Sequence, residues 1–221
     1  MNHTGTPHIL ERELTDIPED VRSAPAPVVP EIGEPFRMRL ADPDGTDPET
    51  LATWMALPHL VETWEQPWPA ERRRRHLAAQ LAGTYSRPYL LSYDFTAIDR
   101  ADLGRREVAY VELYRAAKDE CGKLYEADPL DLGFHIATAD LNLIGHGIMS
   151  AWMRELAAAL FTADPGCKRL ICDPDHRNTP MRKALRKNGW IDLGEVDVRP
   201  DRRIALHVLP RTQSDLPTLR R

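Results

Sequence analysis

One junction constrains this chain more than any other feature. The alternating apolar segment Leu132–Ala139 leads into Ile144-Gly145-His146-Gly147-Ile148-Met149, and from there into a long amphipathic stretch, Met149–Phe161. In that stretch Met149, Trp152, Met153, Leu156 and Leu160 fall on one helical face. The predicted order is strand, glycine turn, helix. A helix start exposes unpaired N–H groups at the positive end of the helix dipole, so it can receive an anion. Glycines there let a phosphate approach the backbone closely. Two glycines are also what a plain tight turn uses, and the residues alone leave both readings open. The Gly-Lys-Ser/Thr ending of a P-loop and the third glycine of a dinucleotide fingerprint are both missing.

Around this junction, strand and helix signals alternate. Strands are predicted over 36–40, 89–95, 108–114, 132–139, 169–172, 191–198 and 203–209, and helices over 47–55, 69–82, 149–161 and 179–188. Pro58-His59 reads as the end of the first helix, and Gly83 and Gly189 as helix stops. The polar run Thr96–Glu107 reads as a long hairpin loop. About seven strands and about four helices in mixed order predict an α/β (α+β) domain around an open mixed sheet. The 221 residues suit one domain with extensions. Residues 1–34, with Pro7, Pro18, Pro25, Pro27 and Pro30, read as a solvated proline-rich tail or arm carrying a short helix near 11–21. The folded domain is expected over 35–210, and 211–221 as a frayed end.

The second half of the chain adds a pattern of chemistry-bearing residues. Cys167–Gly194 runs strand, Asp173-Pro174-Asp175-His176-Arg177-Asn178, helix, Asn188-Gly189-Trp190, strand. Together with the glycine junction it resembles the GNAT superfamily of acyl-CoA-dependent N-acyltransferases, whose turn is Arg/Gln-x-x-Gly-x-Gly/Ala. Those positions here read Asn142-Leu143-Ile144-Gly145-His146-Gly147; both glycines match and the first position departs. A narrower resemblance spans Phe36–Leu209. Trp54-Met55, Pro58-His59-Leu60, Trp64-Glu65, Trp68-Pro69, Glu112-Leu113-Tyr114, Ala127-Asp128-Pro129, His135 and Asp173–Asn178 are similar to the siderophore-biosynthetic lysine N-acyltransferases, the group of the mycobactin and aerobactin acyltransferases.

The resemblance implies a GNAT fold. It implies transfer of an acyl group from acyl-CoA, acetyl or longer, to the side-chain amine or hydroxyamine of N6-hydroxylysine or a close relative, in hydroxamate siderophore assembly. It implies no metal. It assigns Gly145, His146, Gly147, Ile148 and Met149 to the CoA pyrophosphate and Asn178 to the cofactor arm. It makes His135 the base and Asp173 its partner or a second base. Many superfamily members carry a tyrosine four residues before the last helix's glycine; Leu185 stands there, which implies that CoA leaves as thiolate.

The residues by themselves are less committal. His135 has the ordinary imidazole pKa of ~6.5 that suits a base, and equally suits a core histidine. Asp173 follows the next strand and equally suits a turn. Asn178 also suits a helix N-cap. Trp64 and Trp68 flank Pro67 and offer aromatic faces to a polymethylene chain or a cation. Glu112 is a candidate for holding the acceptor, or a solvated strand residue. Arg72–Arg75 reads as a solvated helix face, and Arg182 as a candidate for the CoA phosphates.

Composition excludes other classes. Lys and Arg number 29 against 34 Asp and Glu, a net charge of −5, which argues against a nonspecific nucleic-acid binder. No apolar run reaches the ~20 residues of a membrane span. The N-terminus shows no export pattern. Cys121, Cys167 and Cys172 include no C-x-x-C pair, as expected of a reduced, cytoplasmic protein. The rival expectations are an aminoglycoside-type or other small-amine acetyltransferase, and a noncatalytic CoA-binding module of the same fold. Expected partners are the small-molecule amine and enzymes of a siderophore pathway.

Overall fold

The computed structural model describes residues 10–64, 66–144 and 146–220. Its strands are β1 Phe36–Leu40, β2 Ser86–Asp94, β3 Arg105–Arg115, β4 Leu132–Thr138, β5 Arg169–Cys172, β6 Ile191–Arg199 and β7 Arg202–Pro210. They form one mixed sheet in the order β1-β2-β3-β4-β5-β7-β6. The α-helices are α1 Glu19–Ser23, α2 Asp47–Met55, α3 Pro58–Trp64, α4 Ala70–Ala82, α5 Ile148–Ala163 and α6 Thr179–Lys187.

Side chains alternate between the two faces of the sheet. On β4, Phe134 joins the cluster that buries Trp152, Met153, Leu156 and Leu160 of α5. Ala137, of opposite facing, joins Leu51, Met55, Leu60 and Leu77 from α2, α3 and α4. One face of β4 therefore carries α5 and the other carries α2 to α4. His135, two residues from Ala137, faces the α2–α4 side.

The neighbouring strands are antiparallel except β4 and β5, which pair in parallel only at Leu132↔Leu170 and Gly133↔Ile171. β5 is four residues long and fully buried. Pro174 follows within two residues and has no N–H to extend a ladder. The two central strands therefore part, and a wedge opens between them. Gly133 sits at the point of parting. A Cβ there would lie 2.3 Å from the ring of Tyr114, its partner across the β3–β4 pair.

Several expectations are corrected. The first helix ends at Met55 as expected, but Pro58 also starts α3, which the sequence reading lacked, because proline's fixed φ and missing N–H suit a first helical turn. The expected loop over 96–107 is shorter. A 3₁₀ turn fills Phe95–Ile98, with Thr96 N–H donating to Asp94, and β3 begins at Arg105. Residues 10–34 are not a solvated tail: Leu10, Val21 and Ala24 are buried. The extended proline segment cannot satisfy its own carbonyls, and buried cations do so. Arg115 donates to Pro25 O and Ala26 O, and Lys118 Nζ donates to Ala24 O at 2.7 Å. The end of the chain is likewise tied down through residue 220. Glu126 N–H donates to Thr218 O and Arg220 N–H to Leu124 O, both at 2.9 Å.

The Gly133 contact gives a direct test. Gly133→Ala should destabilise the fold by about 1–3 kcal/mol through overpacking against Tyr114, read as a lowered denaturant midpoint. An unchanged midpoint would show that the strand can shift to admit a methyl.

Candidate active site

The wedge between β4 and β5 holds a cavity of about 730 Å³. Its lining divides by chemistry. Met149, Trp152, Met153, Met181 and Ala184, from α5 and α6, supply an apolar side. His59, Trp64, His135, Asp173, Arg12 and Arg202 supply a polar one.

His135 and Asp173 meet in this cavity. His135 Nε2 is 3.1 Å from Asp173 Oδ1, and the two side chains are 11% and 0% exposed. Both sit just past the last paired residues of neighbouring strands, so the splay leaves them bordering open space. Asp173 accepts Tyr114 O–H on Oδ1 and Arg202 Nη2 on Oδ2, each at 2.8 Å. Burial pushes its pKa up, but the charges of His135 and Arg202 outweigh that and hold it far below the carboxylate range. Asp173 is therefore a fixed anion at any physiological pH.

The imidazole is gripped from every side. Tyr114 stacks on it with ring centroids 4.4 Å apart, and Trp64 meets it edge-on at 6.2 Å. Its Nδ1 lies 3.4 Å from Glu112 Oε2. Burial and Arg12 push the His135 pKa down, and Asp173 and Glu112 push it up; the net shift is upward. Burial pushes Glu112 up, but hydrogen bonds with His135 and His76 hold it well below its ordinary range. Gln80 Nε2 and Tyr110 O–H also donate to its Oε1, at 3.1 and 2.9 Å. The result is a strengthened base set between two anions.

The remaining predicted residues fall in different places. Gly147, at φ +72, is the residue before α5 and borders the cavity with Met149. Space in front of it is open: a Cβ there would meet nothing within 4 Å. His146 and Ile148 line a separate cavity of about 240 Å³. Gly145 lies outside the described residues. Asn178 borders the main cavity and also caps α6, accepting Met181 N–H at 3.1 Å. Trp64 lines the cavity, with its Nε1 donating to Ile136 O at 3.3 Å.

Trp68 does not line the cavity. It is buried beneath the guanidinium groups of Arg72 and Arg73, against His76. Glu112 lies behind the imidazole, away from the lining. Arg73, expected on a solvated face, is fully buried and donates to Gln66 O. Arg182 is engaged by Glu195 and by His176 O. Sequence reasoning missed Arg12, Tyr114 and Arg202. Of these only Tyr114 stands in a motif singled out in the sequence, Glu112-Leu113-Tyr114, and its place against His135 comes from the β3–β4 pairing.

The family described as acetyltransferase (GNAT) domain matches residues 44–198. A protein of Mycobacterium sp. strain MCS named lysine N-acyltransferase MbtK is 47% identical over 209 residues, which is 95% of this chain and 81% of that protein. The chain belongs to the GNAT acyltransferases, in their lysine N-acyltransferase branch. An Escherichia coli protein named N(6)-hydroxylysine O-acetyltransferase is 27% identical over 168 residues, covering 76% of this chain and 50% of its own. An aminoglycoside acetyltransferase AAC(6')-Ib, solved in complex with coenzyme A, shares the fold with a TM-score of 0.66 at 23% identity, covering 80% of this chain and 95% of that one. Among the described residues no helix is long and apolar enough to cross a membrane.

Arg202 carries a measurable share of the site. It bridges Asp173 and Glu120, both buried. Arg202→Met should destabilise the protein by about 3 kcal/mol, because it leaves buried carboxylates without their cation. The double variant with Asp173→Asn should cost less than the sum of the two single changes in denaturant titrations. Strict additivity would mean that the pair is not coupled.

Proposed function

We propose that this protein transfers an acyl group from acyl-CoA to the side-chain amine of lysine or N6-hydroxylysine, as a step in hydroxamate siderophore assembly, with His135 as the base and Asp173 as its fixed counter-charge. The observation that carries the reading is the 3.1 Å His135–Asp173 pair, set where β4 and β5 part beside a helix that starts on a left-handed glycine. An acyl-CoA donor supports a cytoplasmic reaction, whose product would pass to other enzymes of the pathway.

The donor side fits a CoA thioester. Gly147 and the first turn of α5 offer backbone N–H groups to a pyrophosphate, and the open space before Gly147 lets it come close. Asn178 and the apolar wall from α5 and α6 would border the pantetheine arm. The group supplies an acyl thioester whose carbonyl an amine can attack. On the acceptor side, Trp64 and His59 offer ring faces along which a polymethylene chain can lie.

The chain's own residues meet two demands of the reaction. The first is a neutral nucleophile. With a pKa of ~10.4, only about one lysine amine in a thousand is free base at neutral pH. His135 can take the proton as the new bond forms, and ionised Asp173 stabilises the resulting imidazolium. The second is stabilisation of the developing oxyanion. Ile136 O and Thr138 O accept from Trp64 and His59, so these residues face the edge of β4 away from β3. A strand residue's N–H leaves on the same edge as its C=O. The amides of Ile136 and Thr138 therefore point into the wedge, where they can polarise a thioester carbonyl. Leu185 is fully buried and supplies no acid, so the sulfur leaves as thiolate, helped by a thiol pKa near 8.5.

A matrix of donors and acceptors with a free-thiol readout tests the proposal. Acetyl-CoA and longer thioesters are paired with lysine, N6-hydroxylysine, hydroxyornithine, hydroxycadaverine and an aminoglycoside. Thiol release should be fastest with lysine or N6-hydroxylysine. Preference for the aminoglycoside, or calorimetric binding of acetyl-CoA with no turnover on any amine, would overturn it.

The base assignment makes a graded prediction. A hydroxylated amine is less basic and already mostly neutral, so it depends less on His135. His135→Ala should lower kcat/KM by about 10²–10⁴-fold with lysine, and by clearly less with N6-hydroxylysine. Equal losses, measured side by side, would contradict the base role.

A further inference from the structure

The N-terminal arm delivers a cation to the reactive nitrogen. Arg12 Nη1 lies 2.8 Å from His135 Nε2 and 3.3 Å from Nδ1. The arm is pinned on both sides of Arg12. Leu10 is buried, Glu11 pairs with Arg72 at 2.7 Å, Glu120 N–H donates to Arg12 O at 3.0 Å, and Leu14 N–H donates to Lys118 O at 2.9 Å. Arg12 is therefore held at the imidazole by backbone.

Arginine stays protonated and only donates. Its Nη1 lies within 3.3 Å of both ring nitrogens, so the guanidinium sits against the ring itself and brings a fixed positive charge to it. Arg12 and Asp173 thus act on the imidazole in opposite senses: the carboxylate favours its charged form, and the guanidinium favours its neutral form.

We infer that Arg12 is a positioning residue of the acyl transfer: its guanidinium, fixed against the ring, holds His135 as the neutral imidazole that can take the proton of the acceptor's amine. The inference rests on His135 being the base. It resolves a conflict within the site. Two buried carboxylates alone would keep His135 charged, and a charged imidazole accepts no proton. The fixed cation works against them. The groups that set this balance are Arg12 from the arm, Glu112, Tyr110 and Tyr114 from β3, Asp173 after β5, Asp119 and Glu120 from the segment following β3, His76 from α4 and Arg202 from β7.

The test uses the full chain. The pH profile of kcat/KM with lysine and acetyl-CoA is compared for the wild type, Arg12→Gln and Arg12→Lys. In Arg12→Gln the acid-limb inflection should move up by about one pH unit, the effect of losing a cation at this range. Activity should then fall about tenfold below the inflection and stay near wild type above it. Arg12→Lys, which keeps charge and donor, should restore most of the limb. A loss of the same factor at every pH would overturn the inference. A second readout needs no turnover. In 15N spectra of labelled protein, the His135 ring should titrate at higher pH in Arg12→Gln than in the wild type, and an unchanged midpoint would overturn the inference. Full activity of His135→Ala would instead overturn the base reading, whatever the spectrum shows.

Discussion

The site depends on keeping one carboxylate ionised where no water reaches it. Asp173 is fully buried, and an isolated buried charge of this kind would neutralise itself. It stays charged because groups from β3, β4, β7 and the arm are arranged around it. Each of those elements is held partly by the same charge, so fold and site are coupled at this point. The coupling has a pH signature. The depressed pKa of Asp173 contributes stability above the ordinary value of ~3.9, and that contribution is lost as pH falls through the folded-state value. His135, with a raised pKa, acts in the opposite sense: it stabilises below ~6.5, and less as pH climbs through its folded-state value.

The second constraint is the short parallel pairing of β4 with β5. Two residue pairs join the halves of the sheet before the strands diverge. A continuous ladder would have sealed the centre of the domain. The divergence instead exposes a polar strand edge inside a protein core, a costly arrangement unless something occupies or caps it. Trp64 and His59 cap two of its carbonyls, and the amides beside them remain directed into the cavity. The same break that makes room for a substrate thus supplies donors for the charge its reaction develops.

Much of the architecture was legible in sequence because it is written in periodicity. The α5 stripe, the short run of β5 and the proline and glycine boundaries of α6 are local signals, and the elements form where those signals place them. The meeting of His135 with Asp173 was legible for a related reason: each residue lies at the end of a strand, and the two strands are neighbours. What escaped was non-local. The arm reads as solvated because its proline carbonyls find Arg115 and Lys118 about ninety residues away. Trp68 reads as pocket lining because an aromatic beside a proline loop gives no sign that two arginines will cover it. Arg202 lies in a strand whose pattern says nothing of Asp173. Charge partners across a sheet leave no periodic trace, and the supporting shell of a buried site is made of such pairs.

The distribution of charge follows from the chemistry. Of the two proton problems in amide formation from a thioester, the leaving sulfur is the easier, since a thiol ionises near 8.5 and an alkyl amine near 10.4. The structure spends its polar residues accordingly. The position that could hold an acid for the sulfur is Leu185, packed in the core beside Trp190 and Phe134. The ionisable groups Arg12, His135, Asp173 and Arg202 gather at the opposite wall, with Glu112 behind the imidazole, where in the proposed reaction the amine loses its proton. An apolar donor wall and a charged acceptor wall are therefore two parts of one solution: a poor leaving group would need help on the first, and a protonated nucleophile needs it on the second.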